Sequence, residues 1–217
     1  VLKAQGDVLA FLDQRAEALG KYEEALGLFR TVGARLGEAN VLQAQGDVLA
    51  FLAQRAEALG KYEEALGLFR TVGDRLGEAN VLQAQGDVLA LLDQRTEALA
   101  RYEQALGLFR AVGARLGEAN VLKAQGVAAL EDADIERGVA LLEQARVLYA
   151  QIGARAGLSN VGIELGRLAA RQGDYARAIA HMQPAADFCQ AIHHPLGPQL
   201  QAEIDEWRAK LTHGIRE

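Results

Sequence analysis

Apolar positions along this chain fall at helical intervals, and the whole pattern recurs. Between Val41 and Asn80, Leu42, Leu49 and Leu52 share one face of a first helix, with Val41 and Val48 on its flank. Ala58, Tyr62, Ala65, Phe69 and Val72 follow i, i+4, i+7 spacing on a second helix, widened by Leu59 and Leu66. Ala53, Gln54 and Arg55 mark the break between the two. Gly73 is placed to end the second helix in the left-handed conformation, which a residue without Cβ adopts freely. Asp74 then predicts an N-cap for the next first helix, with Glu78 near its positive end. Ala34, Ala114 and Ala154 stand at that cap in other copies and predict weaker starts. Strand alternation is absent throughout.

The period is 40 residues. Residues 1–40 reappear as 41–80 with three changes, Lys3 to Gln43, Asp13 to Ala53 and Ala34 to Asp74. Residues 81–120 form a third copy, 121–160 a drifted fourth, and 161–200 a fifth recognisable by its spacing. Each copy predicts a helix hairpin with apolar residues around more than half of both helices. One hairpin cannot bury that surface, whereas stacked neighbours can, so the expected architecture is an all-α solenoid of five repeats. At about 25 cal/mol per Å² of apolar area, contact between copies is the main stabilising term. In the remainder, 201–217, together with Pro198 and Leu200, the residues Leu200, Ile204, Trp207 and Leu211 mark one helical face. That stretch reads as a capping helix whose outer side carries Glu203, Asp205 and Arg208. Pro184, inside the second helix of the fifth copy, removes a backbone donor and predicts a kink. Val1 stands where other copies are already within their first helix, so a longer array extending toward the N-terminus is expected.

The small and aromatic residues that set the packing resemble those of the tetratricopeptide repeat. They are Gly46, Ala58, Tyr62 and Ala65, recurring as Gly6, Ala18, Tyr22 and Ala25 and as Gly86, Ala98, Tyr102 and Ala105. The fifth copy keeps Gly166, Ala178 and Ala185, with Gly173 and Tyr175 at the turn, but has Met182 for the aromatic. The fourth departs with Gly138 and Leu142, which predicts looser pairing. The 40-residue length and the segment from Gly73 to Asn80 look like a longer subtype, frequent in bacterial NLR-like signal-transduction ATPases and in eukaryotic cargo or spindle adaptors. The resemblance implies a right-handed superhelical solenoid whose first helices line a concave wall. It also implies a non-catalytic scaffold that binds a protein or extended peptide there, as the sensor arm of a larger bacterial signalling protein. A structural spacer or self-associating array is the alternative.

Composition narrows the partners. With a net charge of −6, the chain lacks the basic face of a nucleic-acid binder. No apolar run reaches the roughly 20 residues of a membrane span, so a cytoplasmic protein is expected. The single cysteine, Cys189, stands in the register of Phe69 and reads as apolar filler, and one cysteine forms neither an internal disulfide nor a zinc site. His193 and His194 point about 100° apart and do not make a metal pair, and His181 and His213 lack partners at ligand spacing. No phosphate loop, nucleophile elbow or zinc-protease signature occurs, so neither a catalytic site nor a cofactor is expected.

At about 100° per residue, the groove-facing stripe of the first helix of the second copy holds Asn40, Gln43, Ala44, Asp47 and Phe51. Later copies contribute Asn80, Gln83, Asp87 and Leu91, then Asn120, Lys123, Val127 and Glu131, then Asn160, Ile163, Arg167 and Arg171. Lys3, Asp7 and Phe11 are their N-terminal counterparts. An asparagine amide both donates and accepts, so a row of them suits a peptide backbone. The same row is also open to a structural reading, inherited with the duplication or bonding between adjacent helices. Asp7, Asp47 and Asp87 favour basic side chains, and Arg167 and Arg171 favour acidic ones, which predicts a ligand of graded charge. Gly20, Gly27, Gly60 and Gly67 form an unexplained small-residue strip on the second helices, readable as drift or as a close-approach surface.

Overall fold

A computed structural model describes the backbone to Gly214 and the side chains to Thr212. Among the described residues there are eleven helices and no strand. They are α1 Leu2–Phe11, α2 Arg15–Thr31, α3 Arg35–Phe51, α4 Arg55–Val72, α5 Arg75–Leu91, α6 Arg95–Val112, α7 Arg115–Glu131, α8 Ile135–Gln151, α9 Arg155–Arg171, α10 Tyr175–Ala191 and α11 Leu196–Gly214. The chain forms two compact units, Val1–Gly117 and Glu118–Glu217. Hairpin stacking is the rule in each. In the first, α1 pairs with α2, α3 with α4 and α5 with α6, while α1, α3 and α5 meet as one layer. In the second, α8, α9, α10 and α11 pack in succession. This is the architecture of a helical-repeat solenoid.

Turn chemistry follows the register. Gly73 has φ of 73°, and Asp74 accepts from the backbone N–H groups of Leu76 and Gly77 at 3.1 and 3.0 Å. Ala34 and Ala154 cap nothing with their side chains. Asp134 and Asp174 supply a further cap each, accepting from Arg137 and Arg177. The break inside each hairpin is tight: Ala53 sits at φ 59°, a conformation that glycine supplies in the fifth copy as Gly173.

The aromatic spacer works as the register suggests. A methyl group on Gly46 would lie 2.5 Å from Cε1 of Tyr62, so the glycine is what lets the ring in. In the fourth copy the pairing is closer, not looser. Without an aromatic, the backbones of α7 and α8 meet, and a methyl on Gly126 would stand 3.2 Å from the Gly138 carbonyl, with the reciprocal distance 3.1 Å. The helix α10 runs on through Pro184. Two side chains read as core are exposed instead: Leu52 ends its helix at the turn, and Val72 lies in the last turn of α4. Gln45 and Gln85 are buried in the layer between hairpins, where each amide donates to a glutamate of the preceding α helix, Glu23 at 3.1 Å and Glu63 at 3.0 Å.

The glycine strip has open space around it. Methyl groups on Gly60 and Gly67 would meet nothing within 4 Å, and Ala100 already stands in the register of Gly60. Replacing either by alanine is therefore expected to raise stability by about 1 kcal/mol, read as an upward shift of Tm. Gly73→Ala has equal room but a left-handed backbone, and is expected to lower stability by about the same amount. Equal signs for the two kinds of variant would refute this account.

Candidate functional site on the first-helix layer

In the first unit, a cavity of about 400 Å³ opens between α1 and α3. Lys3, Asp7, Asn40, Gln43, Asp47 and Phe51 line it, with Arg15 and Tyr22 from α2. Helical periodicity puts positions 40, 43, 44, 47 and 51 on one face of α3, and hairpin packing sets α1 and α2 against that face. The aspartates are not simply solvated. Tyr22 donates to Asp7 at 2.9 Å, Tyr62 to Asp47 at 2.8 Å and Tyr102 to Asp87 at 2.8 Å. Each core tyrosine thus reaches through its hairpin to fix one carboxylate that keeps a solvent-facing edge. Desolvation by the surrounding helices pushes the Asp47 carboxyl above its ordinary value, against the Tyr62 hydrogen bond and the charge of Lys3. A cation arriving beside it would relieve that cost.

Apolar and cationic groups flank the acids. Phe11, Phe51 and Leu91 are 89%, 69% and 64% exposed. The Arg15 guanidinium stacks over the Phe51 ring, 3.4 Å from its centroid, and also pairs with Asp13. Lys3 pairs with Asp7 at 2.9 Å. Gln43 and Gln83 are half-buried on the same face.

The four asparagines are not equivalent. Asn40 donates to the Leu36 carbonyl of its own helix at 2.9 Å, and Asn80 and Asn160 are exposed. In the second unit Asn120 accepts from the Tyr149 hydroxyl at 2.7 Å, a bond open to this copy because Tyr149 replaces the phenylalanine of Phe69 and Phe109. Burial pushes the Tyr149 hydroxyl up to about 12. Lys123 is half-buried, and Ile163 is buried against α11 rather than facing a groove. Arg167 makes a two-pronged pair with Glu203 of α11, at 2.7 and 3.2 Å. Glu203 therefore turns toward α9 instead of lying on the outer side. Arg171 remains exposed, beside Tyr175, Trp207 and Lys210.

Among the other candidates, Cys189 is buried in the core with Met182, and His193 takes a left-handed turn position at φ 54°. The His194 ring nitrogen accepts from the Leu196 N–H at 3.2 Å. The side chain of His213 lies outside the described residues. Sequence reasoning missed the tyrosine–aspartate bonds and the buried glutamines. The only signal for the former was the constant 15-residue separation of each pair.

No family model and no curated protein matches the sequence. Solved structures do. BtubC from P. vanneervenii is 20% identical with a TM-score of 0.73, the match covering 88% of this chain and 80% of that one. A Rap protein complexed with Competence and Sporulation Factor is 14% identical with a TM-score of 0.70, covering 98% of this chain and 64% of that one. A signal-transduction ATPase with numerous domains and a tetratricopeptide repeat sensor, from Pyrococcus horikoshii, is 14% identical with a TM-score of 0.67, covering 98% and 37%. The chain thus has the tetratricopeptide-type helical-repeat fold. It spans under two thirds of the latter two proteins. No helix among its described residues is long and apolar enough to cross a membrane.

Proposed function

We propose that the chain is a non-catalytic scaffold that holds an extended segment of a partner protein along its first-helix layer. One observation carries this reading: Asp7, Asp47 and Asp87 recur once in each of the first three copies, each oriented by a tyrosine and each beside an exposed Phe11, Phe51 or Leu91. Fixed carboxylates alternating with apolar contacts suit a segment carrying basic and apolar residues in turn. Neighbouring helices lie roughly 8–10 Å apart, so one copy meets about every third residue of an extended chain. Exposed Asn80 can hold the backbone between those anchors. In the second unit Arg167 is tied to Glu203, while exposed Arg171 offers a cation to an acidic group. Similarity to a protein with a tetratricopeptide repeat sensor, and to one complexed with a factor, supports a sensor arm of a larger signalling protein.

A labelled peptide of four Arg-Ala-Ala triplets, followed by fluorescence anisotropy, tests the reading. Asp47→Asn with Asp87→Asn is expected to weaken binding at least tenfold, the order of one charge-assisted hydrogen bond. Asn80→Ala should weaken it without altering Tm. Unchanged affinity in all these variants rejects the groove. The second reading, a self-associating array, draws on Leu12, Leu52 and Leu92, which extend the exposed apolar row at the turns. Growth in light-scattering mass with concentration would favour it.

A further inference from the structure

At one seam between hairpins the second unit departs from the pattern of the first. In the first unit the seam between successive hairpins is sealed by charge. Arg30 donates to Glu38 at 2.7 Å and reaches Glu64 at 3.4 Å, and Arg70 repeats the first bond with Glu78 at 2.7 Å. Moved on by three periods, positions 30, 38 and 64 become Ala150, Leu158 and Pro184. All three charges are gone together. What remains is a cavity of about 410 Å³ between the first turn of α9 and the second half of α10.

Its walls combine apolar and polar surface unequally. Leu158, Pro184, Ala185 and Phe188 supply its apolar lining. Arg155 and Ser159, the latter 8% exposed, line it from α9, and His181 lines it from α10. His181 accepts from the Arg177 Nε–H at 3.4 Å, and burial and then that arginine hold its imidazole below its ordinary value. Asp187, on the α10 side, is held by the Gln183 amide at 2.8 Å. A carboxylate there repels an anionic head, which leaves Arg155 as the place for one. Small-molecule sites are typically concave, mostly apolar and of about 300–1,000 Å³, with a few convergent polar groups.

We propose that this cavity is a ligand site, separate from the first-helix layer, for a compact molecule with an aromatic or branched apolar body and one anionic head. The body lies on Leu158, Pro184 and Phe188, and the head meets Arg155. The probe that tests it is 1-anilinonaphthalene-8-sulfonate, an aromatic anion whose fluorescence rises on burial, set beside the uncharged N-phenyl-1-naphthylamine. The intact chain is expected to bind the anion saturably at one site and to melt higher in its presence. Leu158→Glu and Pro184→Glu restore the residues that Glu38 and Glu64 hold in the same register, so both variants should fold. Each should weaken binding at least tenfold. Arg155→Gln should weaken the anion about fivefold and leave the uncharged probe unchanged. Unaltered binding in both glutamate variants, an absence of saturable binding by the intact chain, or equal response of both probes to Arg155→Gln would overturn the proposal.

Discussion

Trp207→Ala is expected to destabilise the protein by roughly 3–5 kcal/mol, the range for deleting a large aromatic from a packed core. Trp207 is 6% exposed and lies in one cluster with Leu200 and Ile204 of α11, Ile163 of α9, and Met182 and Cys189 of α10. An array stabilised by nearest neighbours should lose that energy where the contact is broken. Amide exchange is therefore expected to accelerate in α9, α10 and α11 while α3 to α6 keep most of their protection. Leu28→Ala, on a side chain 59% exposed, is the control and should change the urea midpoint little. Acceleration spread evenly over all helices, or an unchanged midpoint for Trp207→Ala, would show that α11 does not act as a cap.

Helix identity, the 40-residue register and the position of the turns were legible because apolar spacing and Gly–Asp punctuation are local properties. The errors are equally informative. Leu52 and Val72 fit the apolar period but stand at helix ends, where the neighbouring hairpin no longer covers them. Gln45 breaks the period yet is buried, because an acceptor waits on another element, Glu23. The bonded state of Asp47 depends on how far Tyr62 reaches across its hairpin, which spacing along one helix cannot reveal. Glu203 was read as outward because its partner, Arg167, lies 36 residues away. The cavity of the second unit needed three substitutions on three helices to be seen as one event. Candidate contacts were legible by face, and their partners were not.

Tyr62→Ala is expected to cost about 3–5 kcal/mol, since the ring is 2% exposed and fills the gap that Gly46 leaves in α3. The cost should be coupled to that glycine. Alone, Gly46→Ala drives a methyl to 2.5 Å from Cε1 of the ring, and is expected to cost about 1–3 kcal/mol. With the ring already removed, the same methyl enters empty space and should instead favour the helix by up to about 1 kcal/mol. A double-mutant cycle therefore measures the contact directly. Tyr62→Phe keeps the packing and removes only the bond to Asp47. Its effect should depend on pH. Desolvation, followed by the charge of Asp47 and the hydrogen bond to it, raises the Tyr62 hydroxyl well above the ordinary tyrosine value near 10. Above about pH 10 the unfolded chain sheds a proton that the folded chain retains, so stability falls as pH rises, while below that value the contribution is fully present. Tyr22 is raised by burial and by Asp7 in the same sense. Urea midpoints measured from pH 8 to 12 should thus decline less steeply for Tyr62→Phe than for the parent. Parallel curves, or additive costs in the cycle with Gly46→Ala, would mean that ring and glycine do not act together and that the hydroxyl is not held by the fold.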